Sequence, residues 1–300
     1  MTVLLVLGSS GMIGSGVLDF FSNLDLEVVE SNRSGQNQIR KNKVIKFDIL
    51  SSNLDSLFAQ VPRNSIILNL SGIIRHKISN QNQKFLDEVT KVNGEFPLEL
   101  VKKASENDCK VVQIATDCVF SGSIGKYIEG SHKDALDFYG ISKIKGEIEA
   151  DNLMTIRVSV VGKERQSHFE LMDWVLNQEF EAEVNGYRNH YWNGITSLQF
   201  GRVLEGIIKK SFVAGTFHLV PADKVSKFEL VTFIARHGGR KDLKIQEFED
   251  IQRVDRTLST QYPELNTRLW FEAGYPTPPT IEDMIREYFD WKEQKIGDFN

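Results

Sequence analysis

The chain has 300 residues, 41% of them hydrophobic and 26% charged, and a formal net charge of −5. That length holds one main domain plus a smaller appendage, and the negative balance excludes a general nucleic-acid binder, whose affinity rests on clustered Lys and Arg. Cys109 and Cys118 are the only cysteines; they have no metal-ligand spacing and are too few for a disulfide framework, which predicts no metal site and a reducing compartment.

In chain order, Val3 to Leu7 is a continuous apolar run followed by a glycine-rich turn and then by Met12 to Phe21 at helical spacing, the opening of a βαβ unit. The start is apolar but has no basic leader and is broken by glycines, so it reads as a buried strand rather than a signal peptide. No run reaches membrane-spanning length, and a cytoplasmic location without a membrane partner is expected. Further strand-like runs recur at Leu26 to Val29, Val44 to Phe47, Ile66 to Leu70, Val111 to Ala115 and Met154 to Val158. Their rhythm predicts an α/β fold, a doubly wound parallel sheet of the Rossmann type.

Asn82 to Asn107 reads as one crossover helix that Pro97 bends or starts. Beyond Ser159 the pattern predicts helices at Phe169 to Leu176, Leu198 to Ile208, Lys227 to Arg236 and Ile281 to Trp291, with a strand at Thr216 to Val220. Residues 1–159, with a return over about 192–220, are therefore expected to bind a dinucleotide, and 160–191 with 221–300 to form a substrate-binding region.

Gly8-Ser-Ser-Gly11-Met-Ile-Gly14 lies between a strand and a helix, the context that turns three glycines into a phosphate cradle. The first allows the tight turn, the second lets backbone approach a pyrophosphate, and the third lets helix and strand pack closely. Gly8, Ser10, Gly11, Met12, Ile13 and Gly14 are the expected contacts. After the second strand, Glu30 is the one acid that could reach the adenosine ribose, whereas Arg33 with Ser34 suits a 2′-phosphate, so NADPH is expected over NADH. Asp48 with Ile49 is placed for the adenine, and Leu70, Ser71 and Gly72 for the ribose and diphosphate.

Tyr139-Gly-Ile-Ser-Lys143 puts a phenol and an ammonium one helical turn apart. A phenol of pKa about 10 is a poor acid near neutrality, and a neighbouring positive charge lowers it. Thr116, ending the strand Val111 to Ala115, can donate to the same carbonyl oxygen that Tyr139 protonates. A strand-end hydroxyl that caps the next turn is the structural alternative for Thr116.

These motifs resemble the extended short-chain dehydrogenase/reductase superfamily, and within it the dTDP-4-dehydrorhamnose reductase family. The resemblance is carried by the three glycines, by Ala115-Thr116-Asp117-Cys118-Val119-Phe120, by Tyr139-Gly-Ile-Ser-Lys143-Ile-Lys-Gly146-Glu147 and by Ile156-Arg157-Val158-Ser159. It implies NADPH-dependent reduction of the 4-keto group of a nucleotide-activated deoxysugar, with Thr116, Tyr139 and Lys143 catalytic and with Asn93, Tyr139 and Lys143 among the cofactor contacts. Ala115 and Cys118 depart from the family's serine and tyrosine, and Leu70 to His76 departs from its alanine-rich loop. Cysteine where the superfamily's dehydratases carry glutamate disfavours elimination. A 4-epimerase that retains NAD, or a regulatory NADP-binding subunit on the same scaffold, are the alternatives. Lys163, Arg165, Tyr191 and Trp192 are candidate substrate contacts; the partner is a nucleotide sugar, with a homodimer possible.

Overall fold

The computed structural model describes residues 3–36, 39, 41–74, 78, 82–165 and 170–297. Arg75, His76 and Phe169 lie outside the described residues. Two compact units emerge. The first contains Met1–Ser121, Gly130–Arg157 and Ile208–Phe217; the second contains Gly122–Glu129, Val158–Ile207 and His218–Asn300.

In the first unit the chain runs β1 (Leu4–Leu7), α1 (Met12–Phe21), β2 (Val28–Asn32), β3 (Lys43–Lys46), α2 (Leu54–Phe58), β4 (Ile66–Asn69), α3 (Gln83–Thr90), α4 (Phe96–Glu106), β5 (Lys110–Ala115), α5 (Phe138–Lys145) and β6 (Leu153–Arg157). The strands form one sheet in the order β6, β5, β4, β1, β2, β3, and Gly215–His218 adds a seventh strand beside β6. β1 pairs in parallel with both β2 and β4, and the pairings of β2 with β3, β4 with β5 and β5 with β6 are parallel too. Chain direction across the sheet reverses between β1 and β4, which opens a crevice at their carboxyl ends.

The apolar runs form strands because parallel strands bury both faces. Leu5, Leu7, Ile67, Val111 and Leu153 from four strands share one core with Phe96, Leu100 and Val101 of α4. Each such side chain contributes roughly 1.5–3 kcal/mol on burial.

Two elements differ from the sequence reading. β2 begins later than Leu26 and runs on through Glu30, Ser31 and Asn32, three polar residues that are nonetheless buried. The apolar pattern stops at Val29 because the last three side chains hold loops rather than core. The expected single helix over Asn82 to Asn107 is interrupted by a π-turn at Lys91–Glu95, closed by the Phe96 N–H bonding the Lys91 carbonyl. Pro97 explains the break: it lacks the N–H that would bond the carbonyl four residues back, and its ring collides with that carbonyl, which belongs to Asn93.

The second unit contains helices Leu171–Leu176, Ser197–Gly206, Lys227–His237, Pro263–Glu272 and Ile281–Gly297. Small sheets accompany them: Val160–Val161 with Ile195–Thr196, Glu183–Tyr187 with Lys244–Phe248, and a three-stranded sheet ordered Val225–Ser226, His190–Trp192, Val254–Asp255. Among the described residues, no helix is long and apolar enough to cross a membrane.

Candidate active site

The glycine turn is built by exclusion. Gly8 has φ +76°, and a Cβ there would lie 2.8 Å from the Ser71 backbone, so the loops after β1 and β4 touch directly. A Cβ on Gly14 would sit 2.2 Å from the Gly8 carbonyl oxygen, which sets how closely α1 approaches the turn. Gly11 caps α1 without a side-chain hydrogen bond, and the first turn of a helix carries N–H groups without intrahelical partners. The residues present therefore fit a dinucleotide diphosphate.

Asn32 fastens this turn to β2. Its Nδ2 donates to Ser9 Oγ at 3.0 Å and to the Gln36 carbonyl at 2.9 Å, while its Oδ1 accepts from Ser34 Oγ and from Gly35 N–H, both at 2.9 Å. Sequence reasoning passed over Asn32, although its place at the strand end is where a loop-ordering amide is needed. Arg33 beside it is exposed and has no ion-pair partner among the described residues. Glu30 is fully buried and its Oε1 accepts from Ile39 N–H and Asn42 Nδ2, each at 2.9 Å. The candidate ribose acid is thus spent on its own loop.

Asp48 follows β3 and accepts from the Leu50 N–H at 3.1 Å. Ile49 lines a surface groove of about 520 Å³ together with Phe47, Leu50, Lys91 and Phe96. Past β4, Ser71 Oγ bonds Asn69 Oδ1. Asn69 and Gln113 are both buried; Asn69 Nδ2 donates to Gln113 Oε1 at 3.2 Å, and Gln113 Nε2 donates to the Gly146 carbonyl at 2.9 Å. This amide chain crosses β4 and β5 and ties the Ser71 loop to the end of α5. It left no signal in the sequence, where both residues look like polar interruptions of apolar strands.

Asn93, in the π-turn, bonds the Ile73 backbone in both directions at 2.9 Å and donates to Ser142 Oγ at 3.0 Å. It joins the loop after β4 to α5. Tyr139 and Lys143 lie on α5, which Asp137 caps by accepting from the Gly140 N–H at 2.8 Å. Two glycines let α5 press inward: a Cβ on Gly140 would be 2.3 Å from the Cys118 carbonyl oxygen, and one on Gly146 would be 2.1 Å from the Asn93 carbonyl oxygen. Lys143 Nζ lies 3.7 Å from where a Cβ of Gly72 would be and 3.5 Å from the Ile114 carbonyl oxygen. Desolvation draws this ammonium down to about 8, opposed by the charge of Glu147.

Glu147, one turn beyond Lys143, is buried in an ion triad. Arg157 grips it with Nε and Nη2 at 2.8 Å each, and Lys133 Nζ adds a contact at 3.1 Å. Burial pushes the Glu147 carboxyl up, but the Arg157 bonds and charge, with Lys133, hold it below its usual value. Thr116 is buried; its Oγ1 accepts from the Cys118 N–H at 3.1 Å and lies 3.2 Å from Asp117 Oδ1, so it caps the turn that α5 packs against.

The remaining candidates sit in the second unit. Lys163 is exposed, its N–H bonds Tyr288 Oη at 2.9 Å and its ammonium lies 5.9 Å from the centre of the Phe289 ring. Arg165 is exposed. Trp192 is buried and donates from Nε1 to Ser159 Oγ at 2.8 Å, whereas Tyr191 is half-buried between two cations, Lys224 and Arg253. Tyr191 and Trp192 fall on one strand, His190–Trp192.

A doubly wound sheet with a glycine turn at its switch point and a Tyr-x-x-x-Lys helix over β5 defines an extended short-chain dehydrogenase/reductase. More narrowly, the chain belongs to the family described as the RmlD substrate binding domain, whose profile matches residues 1–293. Its fold is similar to a dTDP-4-dehydrorhamnose reductase from Clostridium acetobutylicum, at TM-score 0.74 and 18% identity over 97% of this chain and 100% of that one. It is also similar to the Bacillus anthracis dTDP-4-dehydrorhamnose reductase in complex with NADP, at TM-score 0.75 and 17% identity over 97% and 99%. A mutant UDP-glucuronic acid 4-epimerase from Bacillus cereus, in complex with UDP-4-deoxy-4-fluoro-glucuronic acid and NAD, is similar at TM-score 0.72 and 16% identity over 98% and 100%. Among curated proteins no relative matches the chain.

Proposed function

We propose that this protein is an NADPH-dependent reductase of the 4-keto group of a nucleotide-activated deoxysugar. The observation that carries the reading is the clamping of α5 by Gly140, Gly146 and Asn93, with Lys143 Nζ beside Gly72. A solvated helix charge would need none of these close approaches. The Bacillus anthracis relative is described in complex with NADP, and the buried Glu30 with the exposed Arg33 supports NADPH over NADH.

When bound, NADPH supplies the hydride to the carbonyl carbon. The glycine turn and the N-terminus of α1 would hold its diphosphate and Arg33 would meet its 2′-phosphate, while Asn93 keeps the Ile73 loop against α5. Tyr139 gives its phenolic proton to the carbonyl oxygen, so the ketone leaves as an alcohol. Lys143 makes that transfer easier by placing positive charge near the phenol. Thr116 steadies the same oxygen by turning its hydroxyl from Asp117 to the substrate.

The test is NADPH oxidation against a set of 4-keto nucleotide sugars, with product stereochemistry read by NMR. Tyr139→Phe is expected to lower kcat by ~100-fold or more and to leave the Kd for NADPH unchanged. Turnover at the wild-type rate in that variant removes Tyr139 from the chemistry.

A further inference from the structure

On the face of the sheet that packs against α4, polar side chains replace apolar ones at a single level. Leu5, Ile67, Val111 and Leu153 stand in register across β1, β4, β5 and β6, and all four belong to the apolar core. Side chains two residues apart on a strand share a face, so the next level towards the carboxyl ends is Leu7, Asn69, Gln113 and Thr155. Asn69 is 2% exposed and Gln113 4%. Burying an amide is costly unless both of its ends are hydrogen-bonded, and an apolar side chain would avoid that cost at either place.

The direction of the hydrogen bonds shows what the two amides join. The Gly146 carbonyl only accepts, so Gln113 turns Nε2 to it, at 2.9 Å, and Oε1 to Asn69 Nδ2, at 3.2 Å. Asn69 then presents Oδ1 to Ser71, accepting from its hydroxyl and, at 3.4 Å, from its N–H. An amide suits this task because it donates at one end and accepts at the other; a carboxylate cannot donate, and an ammonium cannot accept.

Both ends of this chain of amides reach parts of the candidate site. The Ser71 backbone is the surface on which the glycine turn rests, since a Cβ on Gly8 would lie 2.8 Å from it. Gly146 closes α5, with its N–H bonded to the Lys143 carbonyl at 3.1 Å, so a bond to the Gly146 carbonyl holds the helix within one turn of Lys143. Gln113 itself lies three residues before Thr116 on β5, the strand whose Ile114 carbonyl oxygen is 3.5 Å from Lys143 Nζ. One side chain is thus tied to Thr116 through its strand, to α5 through its donor and to the Ser71 loop through its acceptor.

We propose, on the basis of the reductase reading, that Gln113 is a positioning residue, holding the helix of Tyr139 and Lys143 at a fixed distance from the loop that bears Ser71. Its amide is spent on Asn69 and Gly146, so it acts through α5 and not on the reacting atoms. Without the bond to Gly146 the end of α5 is free to pivot. A misplacement of about 1 Å between reacting groups can cost on the order of 100-fold in rate, whereas one hydrogen bond adds little to folding stability. The effect therefore falls on turnover more than on folding.

Gln113→Met and Gln113→Glu test it in the full chain. Methionine has a similar volume and no N–H to offer; a protonated glutamic acid donates and accepts as the amide does, and its carboxylate cannot donate. With NADPH and a 4-keto nucleotide sugar, Gln113→Met should lower kcat tenfold or more and leave the KM for NADPH within threefold. Gln113→Glu should come within threefold of the wild-type kcat at about pH 5.5, where burial keeps a carboxyl protonated, and lose it as that carboxyl ionises, at lower pH than the falling limb of wild type. The other ionisable groups at that end of α5, Lys143, Lys145 and Glu147, are common to both proteins, so the added limb is read from the ratio of the two profiles. A Gln113→Met kcat within twofold of wild type overturns the proposal, as does a Gln113→Glu that is equally slow at every pH. Circular dichroism at each pH gives the folded fraction; unfolding that accounts for the lost activity makes Gln113 a packing residue and also overturns it. If Gln113→Met does not fold, Gln113→Glu alone decides. Hydrogen exchange separates this proposal from the reductase reading, because NADPH should slow the Gly146 and Glu147 amides in wild type and leave them fast in Gln113→Met. Amides that respond alike in both proteins overturn the link. If no such sugar is reduced and the exchange still differs in this way, the link stands and the reductase assignment falls. If wild type and Gln113→Met reduce the sugar at equal rates, the assignment stands and the link falls.

Discussion

In the proposed reaction Lys143 acts with its ammonium drawn down to about 8 by desolvation, so its protonated fraction is already changing in the range where activity is measured. Below that value the ammonium supports Tyr139; above it the support is lost. Reductase activity, measured as kcat/KM, is expected to fall as pH rises through about 8. Glu147 is the charge that opposes the desolvation, and Arg157 with Lys133 partly neutralises it. Replacing Lys133 by Met should therefore move the falling limb to higher pH, and Glu147→Gln should move it to lower pH. Two limbs that shift in the same direction would show that Glu147 acts on the fold rather than on Lys143. Glu147→Gln also leaves the buried Arg157 without its partner, a change that costs about 3–5 kcal/mol in comparable pairs, so Lys133→Met is the cleaner variant. Folding linkage has its own sign: the folded pKa of Lys143 is depressed, the unfolded chain binds the proton more tightly, and this group's contribution to stability rises between about 8 and the ordinary lysine value. At the other end of the cofactor, Arg33→Ala is expected to raise the Kd for NADPH about tenfold or more and to leave NADH within twofold. Equal losses for both coenzymes would return the ribose to Glu30 or to a neighbour.

At the scale of elements, α5 works because two glycines let it sit closer to the Thr116 turn and to the π-turn than any other residue allows. Gly146→Ala places a Cβ 2.1 Å from the Asn93 carbonyl oxygen, backbone that cannot step aside without moving Asn93 and, through it, the Ile73 loop. We expect kcat/KM to drop at least tenfold and stability to fall by roughly 1–3 kcal/mol, read by steady-state kinetics and thermal melting. A variant as active as wild type would mean that α5 does not set the geometry. The sequence disclosed these elements unevenly, for physical reasons. β1, β4, β5 and β6 were legible because strands buried on both faces must be apolar throughout. The glycine turn and the Tyr139 helix were legible because steric exclusion leaves few residues to choose from. The end of β2 was not, since Glu30 and Asn32 are buried to serve loops and look like solvent residues. The π-turn was hidden because one proline is compatible with a bend, a start or a widened turn; only its clash with Asn93 decides. Strands of two or three residues, such as Val225–Ser226 and Val254–Asp255, are too short to show a period, so the cluster around Tyr191 was seen only in part.

For the whole molecule, the two units carry different proposed contacts, which can be measured separately. The residues proposed for the dinucleotide, from Gly8 to Lys143, belong to the first unit, and the candidate substrate contacts Lys163, Arg165, Tyr191 and Trp192 to the second. Hydrogen exchange should then respond unit by unit: NADPH is expected to protect Ser9 to Ile13 and Ser71 to Ile73, and dTDP to protect Tyr191 and Trp192. NADPH at 100 times its Kd stabilises the folded chain by about 2.7 kcal/mol, which for a chain of this size raises Tm by roughly 5 °C. The catalytic roles predict one more asymmetry. Tyr139→Phe removes a proton donor and no phosphate contact, so its NADPH protection and its Tm rise should equal those of wild type. Gly14→Ala drives a Cβ to 2.2 Å from the Gly8 carbonyl oxygen, and should erase both effects while leaving protection by dTDP intact. If Gly14→Ala instead keeps the full NADPH shift, the glycine turn is a structural corner and the dinucleotide, if it binds, does so elsewhere in the first unit.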